Sequence, residues 1–87
     1  MMHTFAVYYV ENMVYGVFCN PSSGNTAYVV SWDRASDTFK KYDLASVVKD
    51  TAFLNDLVVS RDQKMAYVTD CNSAQVYALD LTTGNVV

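Results

Sequence analysis

Short apolar runs alternate with polar turns along the whole chain. The clearest series lies in residues 53–87, where three runs rich in Val, Tyr and Leu are separated by polar turns at 61–64 and 71–73. Apolar runs bounded by Asn, Asp, Ser and Gly are typical of antiparallel strands joined by tight turns. The pattern predicts strands at residues 54–60, 65–70 and 75–81, and the start of another at Val86 and Val87.

The first half of the chain carries a looser copy of this pattern. Its predicted strands are residues 5–10, 13–19, 26–32 and 38–44, with the Pro- and Gly-containing loop 20–25 between the second and the third. Residues 45–52 are a predicted linker that holds one helical turn, with Asp43 as its N-cap. We therefore expect an all-β chain of antiparallel four-stranded meanders. Residues 1–52 form a first unit plus linker, and residues 53–87 a second unit, incomplete at its C-terminus.

The two halves can be superposed in two ways. Asp33 and Asp80 each end an apolar run just before a turn, and their separation of 80 − 33 = 47 residues is close to the ~40–50 residues of one four-stranded propeller blade. Because the two carboxylates recur at this spacing, we interpret them as structural turn residues. A competing superposition places 27–29 on 66–68 and 16–20 on 56–60, which leaves the first copy one strand short. We prefer the four-strand arrangement.

Both faces of the predicted strands are apolar. A sheet with one solvated face alternates apolar and polar residues, whereas strands that are apolar on both sides are typical of sheets covered on both sides. Two such sheets alone leave two apolar faces uncovered, so we expect either further blades of a longer parent chain or a homo-oligomer. The predicted core comprises Trp32, Val58, Tyr67, Val68, Val76, Tyr77 and Leu79.

Composition and charge narrow the classes of function. The chain has 87 residues, 52% of them hydrophobic, and a net charge of −3, which predicts one small, marginally stable domain. An acidic chain without a cluster of Lys and Arg does not fit nucleic acid binding. No stretch approaches the ~20 apolar residues of a membrane span. The apolar run 4–10 is too short for a signal peptide, so we expect a soluble protein with no membrane partner.

Few side chains carry recognisable chemistry. Cys19 and Cys71 lack metal-type spacing and fit buried small hydrophobes in a reducing compartment; nothing in their spacing supports a disulfide. His3 is the only histidine and lies next to a frayed end, so no catalytic relay can be assembled without it. We interpret Asp70, at the end of a predicted strand, as a turn-capping acid.

The second unit resembles a known family. FLNDLVV at 53–59 is similar to the FLND(I/L)VV segment of the major royal jelly/Yellow proteins, and AYVTD at 66–70 followed by VYALDL at 76–81 continues the likeness in order. The wider gluconolactonase/regucalcin group of six-bladed propellers is similar in its Asn-Asp pair and its YVTD-like second strand. The resemblance covers 53–87 well and 1–52 only by pattern. It implies two β-propeller-like blades.

The resemblance also implies a function. It favours a non-catalytic ligand-binding or scaffold segment of a β-propeller, with a small-molecule ligand. The alternative is part of a metal-dependent gluconolactonase-like lactonase or esterase, in which Asn55, with Asp56 beside it, would help to bind a divalent cation such as calcium. Leu57 and Ser60 depart from that enzyme pattern, and a structural interpretation has Asn55 and Asp56 capping the linker. A third interpretation is a truncated reading frame without independent activity.

Overall fold

The structure is a computed structural model that describes residues 3–19, 26–48 and 53–87, with side chains from Tyr8 onward. Within these ranges it contains strands and turns and no helix. The strands are β1 (His3–Val10), β2 (Met13–Cys19), β3 (Ala27–Asp33), β4 (Thr38–Asp43), β5 (Leu54–Val59), β6 (Met65–Asp70) and β7 (Gln75–Asp80). They form a first antiparallel sheet, β1-β2-β3-β4, and a second, β5-β6-β7. The all-β class and the meander order are therefore confirmed.

The two sheets pack face to face around one continuous core. The backbones approach most closely where β5 lies against β1 and β2. Val17 and Val29 of the first sheet and Leu54, Val68 and Leu79 of the second are fully buried. This packing removes the apolar stripe of each sheet from water, which is the main stabilising contribution in a domain of this size.

The start of the predicted fourth strand in the second sheet is also present. Val86 forms an isolated antiparallel bridge with Leu79, and the Val87 N–H donates to the Ala78 carbonyl at 2.9 Å. Residues 85–87 thus extend the second sheet beyond β7, as β4 extends the first beyond β3.

Strand register makes the two sheets copies of one another. Met13 pairs with Asp33 between β2 and β3, and Met65 pairs with Asp80 between β6 and β7. Aligned from these methionines, residues 13–19 and 65–71 read MVYGVFC and MAYVTDC, which share Met, Tyr and Cys at the same positions. The alignment of Asp33 with Asp80 follows from the backbone as well as from the sequence.

The first strands of the sheets match in the same way. β1 and β5 each carry a register shift at the same place, between Thr4 and Ala6 and between Leu54 and Asp56. A bulge adds one residue and bends the strand, so its recurrence marks a shared backbone design.

The competing superposition, which places β2–β4 on β5–β7, also agrees with the strand register, since Cys19 pairs with Ala27 as Val59 pairs with Ala66. It aligns Val29 with Val68 and Tyr42 with Tyr77, and all four side chains are buried.

Part of the predicted core is wrong. Val68, Tyr77 and Leu79 are buried as expected and Trp32 is half-buried, but three predicted core residues are exposed. Those three are Val58 (49% exposed), Tyr67 (40%) and Val76 (64%). They lie opposite one another or diagonally on the face of β5, β6 and β7 that points away from the first sheet. An apolar pattern on both faces does not reveal which face is covered.

The linker begins with the predicted single turn. Asp43 Oδ1 accepts a hydrogen bond from the Ala45 N–H at 2.8 Å, and the Val48 N–H donates to the Leu44 carbonyl at 3.1 Å. The rest of the predicted linker and the predicted loop at 20–25 lie outside the described residues. In the described part of the chain, no helix has the length and apolarity needed to cross a membrane.

Candidate functional site

Each sheet has one packed face, turned to the other sheet, and one open face. We call the surface formed by Val14, Gly16, Phe18, Val30, Trp32 and Phe39 the first open face; it holds a groove of about 180 Å³. The second open face, on the other sheet, consists of Asp56, Val58, Tyr67, Thr69 and Val76 and holds a groove of about 210 Å³. Most of the large apolar side chains that the described residues leave exposed lie on these two faces. Exposed apolar surfaces of this kind often mark sites of contact with another molecule.

Aromatic pairs form the walls of the first open face. Phe18 stacks on Tyr28 with ring centroids 5.3 Å apart, and Trp32 stacks on Phe39 at 5.7 Å. Gly16 lies on the strand between the two pairs and has no side chain, so the groove runs between them. Phe39 is 68% exposed, which leaves this wall available for contact with another surface.

The second open face carries one carboxylate. Val58 lies directly opposite Tyr67 across β5 and β6, and Thr69 lies opposite Val76 across β6 and β7. Asp56 is exposed, and its Oδ1 accepts a hydrogen bond from the N–H of the next residue at 2.8 Å. The surface is therefore an apolar floor with a charged group at one side.

Asn55 and Asp56, the predicted metal ligands, are adjacent and exposed on β5. Asn55 is the extra residue of the β5 bulge, a position that often re-aims side chains near functional sites. Calcium takes six to eight oxygen ligands, and two neighbouring residues supply a small part of such a shell. The described ranges contain no group of three or more His, Cys, Asp or Glu residues that could hold a metal ion. The calcium site therefore stays a prediction, because most of its oxygen ligands would have to come from residues other than Asn55 and Asp56.

Equivalent residues of the two sheets bury opposite faces. Tyr15 is 3% exposed, whereas its equivalent Tyr67 is 40% exposed, and Val29 is fully buried whereas its equivalent Val76 is 64% exposed. On the opposite face of each sheet the relation is reversed: Trp32 is half-buried, whereas its equivalent Leu79 is fully buried. A two-fold axis would bury the same residues on both sheets. The competing superposition does align buried residues with buried residues, as in Val29 with Val68 and Tyr42 with Tyr77. The opposite burial therefore belongs to the four-strand superposition alone.

A hydrogen-bonded side chain crosses the joint between the sheets. The Tyr15 hydroxyl donates to Gln63 Oε1 at 3.0 Å, and Gln63 Nε2 donates to Glu11 Oε2 at 3.3 Å. Burial, with smaller contributions from Tyr42 and Asp33, raises the pKa of the Tyr15 hydroxyl and keeps it a neutral donor. Sequence reasoning missed this contact, because it joins a strand to a turn of the other sheet.

The turn that closes the hairpin between the first two strands of each sheet also follows the repeat. Glu11 and Gln63 both precede the shared Met by two positions, and both have positive φ, 53° and 60°. The crossing contact described above therefore joins the second strand of one sheet to the first turn of the next.

Asp70 is the most connected polar side chain of the second sheet. It is 2% exposed, and its Oδ1 accepts hydrogen bonds from the backbone N–H groups of Phe53 at 3.0 Å and Asn72 at 3.1 Å. The Tyr77 hydroxyl donates to Oδ2 at 3.3 Å. Burial acts to raise the pKa of this carboxyl, but the hydrogen bonds from Phe53, Ser73 and Asn72 outweigh it and lower the pKa. The predicted turn cap is confirmed, and the tie to Phe53 is new.

Both cysteines are free thiols in different surroundings. Cys19 is buried, and its Sγ lies 3.7 Å from the Leu54 carbonyl, to which it donates. Burial raises the pKa of the Cys19 thiol, so this sulfur is a poor nucleophile. Cys71 is exposed, so the expectation of a buried thiol is wrong for this cysteine, which lies in the turn after β6.

Comparisons with models of known protein families, with curated proteins and with solved structures find no match to this chain.

Proposed function

We propose that the chain is a non-catalytic ligand-binding or scaffold segment of a β-propeller, made of two successive blade-like units. The observations that support this proposal are the family resemblance of residues 53–87 and the opposite burial of residues that the four-strand superposition aligns. In a propeller, each blade packs one face on the blade before it and the other face on the blade after it. On this proposal, Tyr15 and Tyr67, or Val29 and Val76, differ in exposure because the described residues place no sheet on the second open face.

The way the sheets approach each other also supports the proposal. Strands β1, β2 and β5 are the closest elements of the two sheets, as expected when first strands line a central channel and blades spread outward. Away from these three strands, a side chain also joins the two sheets: the Tyr42 hydroxyl donates to the Leu81 carbonyl at 3.0 Å. The family resemblance of residues 53–87 points to the same architecture.

A pair of matched substitutions tests the arrangement. We expect Val29→Asp to abolish cooperative unfolding, because an unpaired carboxylate in the core costs more than a domain of this size can lose. Val76→Asp, at the equivalent position of the second sheet, should change the free energy of unfolding by less than about 1 kcal/mol. Urea denaturation followed by Trp32 fluorescence at low micromolar concentration measures both. Equal destabilisation would contradict the burial of Val29 and the exposure of Val76 from which the proposal is argued, and the proposal would fail.

A further inference from the structure

We propose that the groove of the first open face binds an unbranched carboxylate of medium chain length, with the apolar chain in the groove and the carboxylate at Lys41. The inference goes beyond the proposed function, because it uses the first sheet alone and depends on neither superposition of the two sheets. Within the described residues, no other sheet covers this face. The groove supplies the shape for the chain, and Lys41 supplies the charge.

The groove runs across the strands. Strand register places Gly16 beside Val30 and Val30 beside Lys41, so these three residues form one row across β2, β3 and β4. Because neighbouring strands lie roughly 4.8 Å apart, the row is about 10 Å long, which is close to the length of an extended octanoate chain. Gly16 is buried and lines the groove, so it forms part of the floor.

Larger side chains stand on both sides of this row. Val14 and Phe18 flank it on β2, Tyr28 and Trp32 flank it on β3, and Phe39 adds to one wall on β4. Residues two apart on a strand share a face and lie roughly 7 Å apart, so the groove is one residue row wide. An apolar trough of this width and length fits a single unbranched chain.

Lys41 places a positive charge at one end of the row. It is exposed, and its Nζ lies 4.3 Å from the centroid of the Tyr28 ring. Among the described residues it forms no ion pair. Two nearby acids have other partners: Asp43 accepts a hydrogen bond from a linker N–H at 2.8 Å, and Asp37 accepts one from Trp32 Nε1 at 3.0 Å. An anionic head group can therefore pair with Lys41 without displacing a carboxylate.

The second open face provides a comparison within the same chain. Its groove is also apolar and has a similar volume, about 210 Å³, but its charged lining residue is Asp56. The Asp56 carboxylate repels a carboxylate ligand and attracts an alkylamine. Octanoate should therefore bind to the first open face, and octylamine should prefer the second.

Fluorescence of Trp32 reports on the proposed site directly. Trp32 is the only tryptophan of the chain and forms part of the groove wall. Titration with sodium octanoate, below the concentration at which it forms micelles, should change this fluorescence saturably. Octanol, which lacks the charge, should bind more weakly, and octylamine should give the smallest change. From hexanoate to octanoate, each added CH₂ should tighten binding by about 2- to 4-fold, and the gain should end once the chain is longer than the row.

Two neighbouring lysines give a matched pair of variants. Lys41→Gln should weaken octanoate binding roughly 3- to 10-fold and leave octanol binding unchanged. Lys40→Gln removes the same charge from the next residue, whose Nζ lies 5.1 Å from the centroid of the Tyr42 ring, on the opposite face of β4. Because that charge lies outside the groove, its loss should change octanoate binding by less than about 2-fold at physiological salt.

A second pair of variants tests the groove. Val30→Phe fills the floor with a ring and should abolish the binding of both octanoate and octanol. Thr69→Phe makes a comparable change on the second open face and should leave binding unchanged. Circular dichroism checks that the variants are folded. If Val30→Phe does not fold, Phe39→Ala removes part of one wall at an exposed position and should weaken both ligands.

Several outcomes would overturn the inference. Absence of a saturable fluorescence change with octanoate would do so, as would octylamine binding as tightly as octanoate. Equal affinities of Lys41→Gln and the wild type, or equal losses in Lys41→Gln and Lys40→Gln, would remove the assigned head-group contact. Binding to phosphatidylglycerol vesicles without binding of octanoate would assign the face to a membrane surface instead. None of these results alters the comparison of Val29→Asp with Val76→Asp, which is made without ligand, so the proposed function fails or survives separately.

Discussion

Asp33 and Asp80 close the same turn in the two sheets. Asp33 Oδ1 accepts hydrogen bonds from the N–H groups of Ala35 at 3.0 Å and Ser36 at 3.4 Å, and Asp80 Oδ1 accepts them from Thr82 at 2.8 Å and Thr83 at 3.1 Å. Four residues after each Asp, the chain adopts positive φ, at Asp37 (54°) and at Gly84 (82°). Side-chain and backbone geometry thus repeat together.

This equivalence predicts equal energetic roles for the two carboxylates. Asp33→Ala and Asp80→Ala should each lower the free energy of unfolding by about 1 kcal/mol, because each removes an acceptor for turn N–H groups that remain close to water. Urea denaturation of the two variants measures the loss. Asp→Asn at either position keeps an oxygen acceptor and serves as the control. A large difference between the two sites would argue against equivalent turns.

The lowered pKa of Asp70 predicts that its contribution to the free energy of unfolding is lost in acid. Its pKa is lowered in the folded chain, so its stabilising effect is present above the unfolded-state pKa of about 3.9 and is lost as pH falls through the lower folded value. The wild type should therefore lose stability as pH falls below about 4, and Asp70→Asn should have a shallower pH dependence over that range. Urea denaturation between pH 6 and the acid limit of folding, at about pH 2–3, compares them.

The same variants separate charge from hydrogen bonding. At neutral pH, Asp70→Ala leaves buried donors from Phe53 and Tyr77 without this acceptor, and we expect it to cost about 2–4 kcal/mol. Asp70→Asn keeps one carbonyl oxygen and should cost less. If both variants had wild-type stability and the same pH dependence as the wild type, the carboxylate would have no role in the described contacts.

Strands and turns could be predicted because local residue types determine them. Met13–Cys19 and Met65–Asp70 have the predicted bounds, since polar turn residues flank each run on both sides. Which face is buried could not be predicted. Val76 and Tyr77 are both apolar neighbours on one strand, yet Val76 is 64% exposed and Tyr77 is 7% exposed. That difference depends on where the other sheet lies, which the alternation of residues does not encode.

The full extent of the repeat also could not be predicted from the sequence. The turn between the first two strands spans 11–12 in the first sheet and 60–64 in the second, so no single spacing aligns both sheets. In the four-strand superposition, the match of Tyr15 with Tyr67 and of Cys19 with Cys71 is read from the strand register and not from a fixed spacing. For the candidate site, the residues that join the sheets, such as Gln63, come from turns whose distant partners only the fold reveals.

The calcium prediction can be decided on the chain itself. Asn55 and Asp56 provide at most a few of the six to eight oxygens that calcium requires, and one Asp56 oxygen already accepts a backbone hydrogen bond. We therefore expect titration calorimetry with calcium chloride to give no saturable heat, and Asn55→Ala to behave like the wild type. Saturable binding by the wild type that Asn55→Ala abolishes would contradict this expectation. It would favour the lactonase alternative, with the remaining ligands supplied by neighbouring units around the first strands.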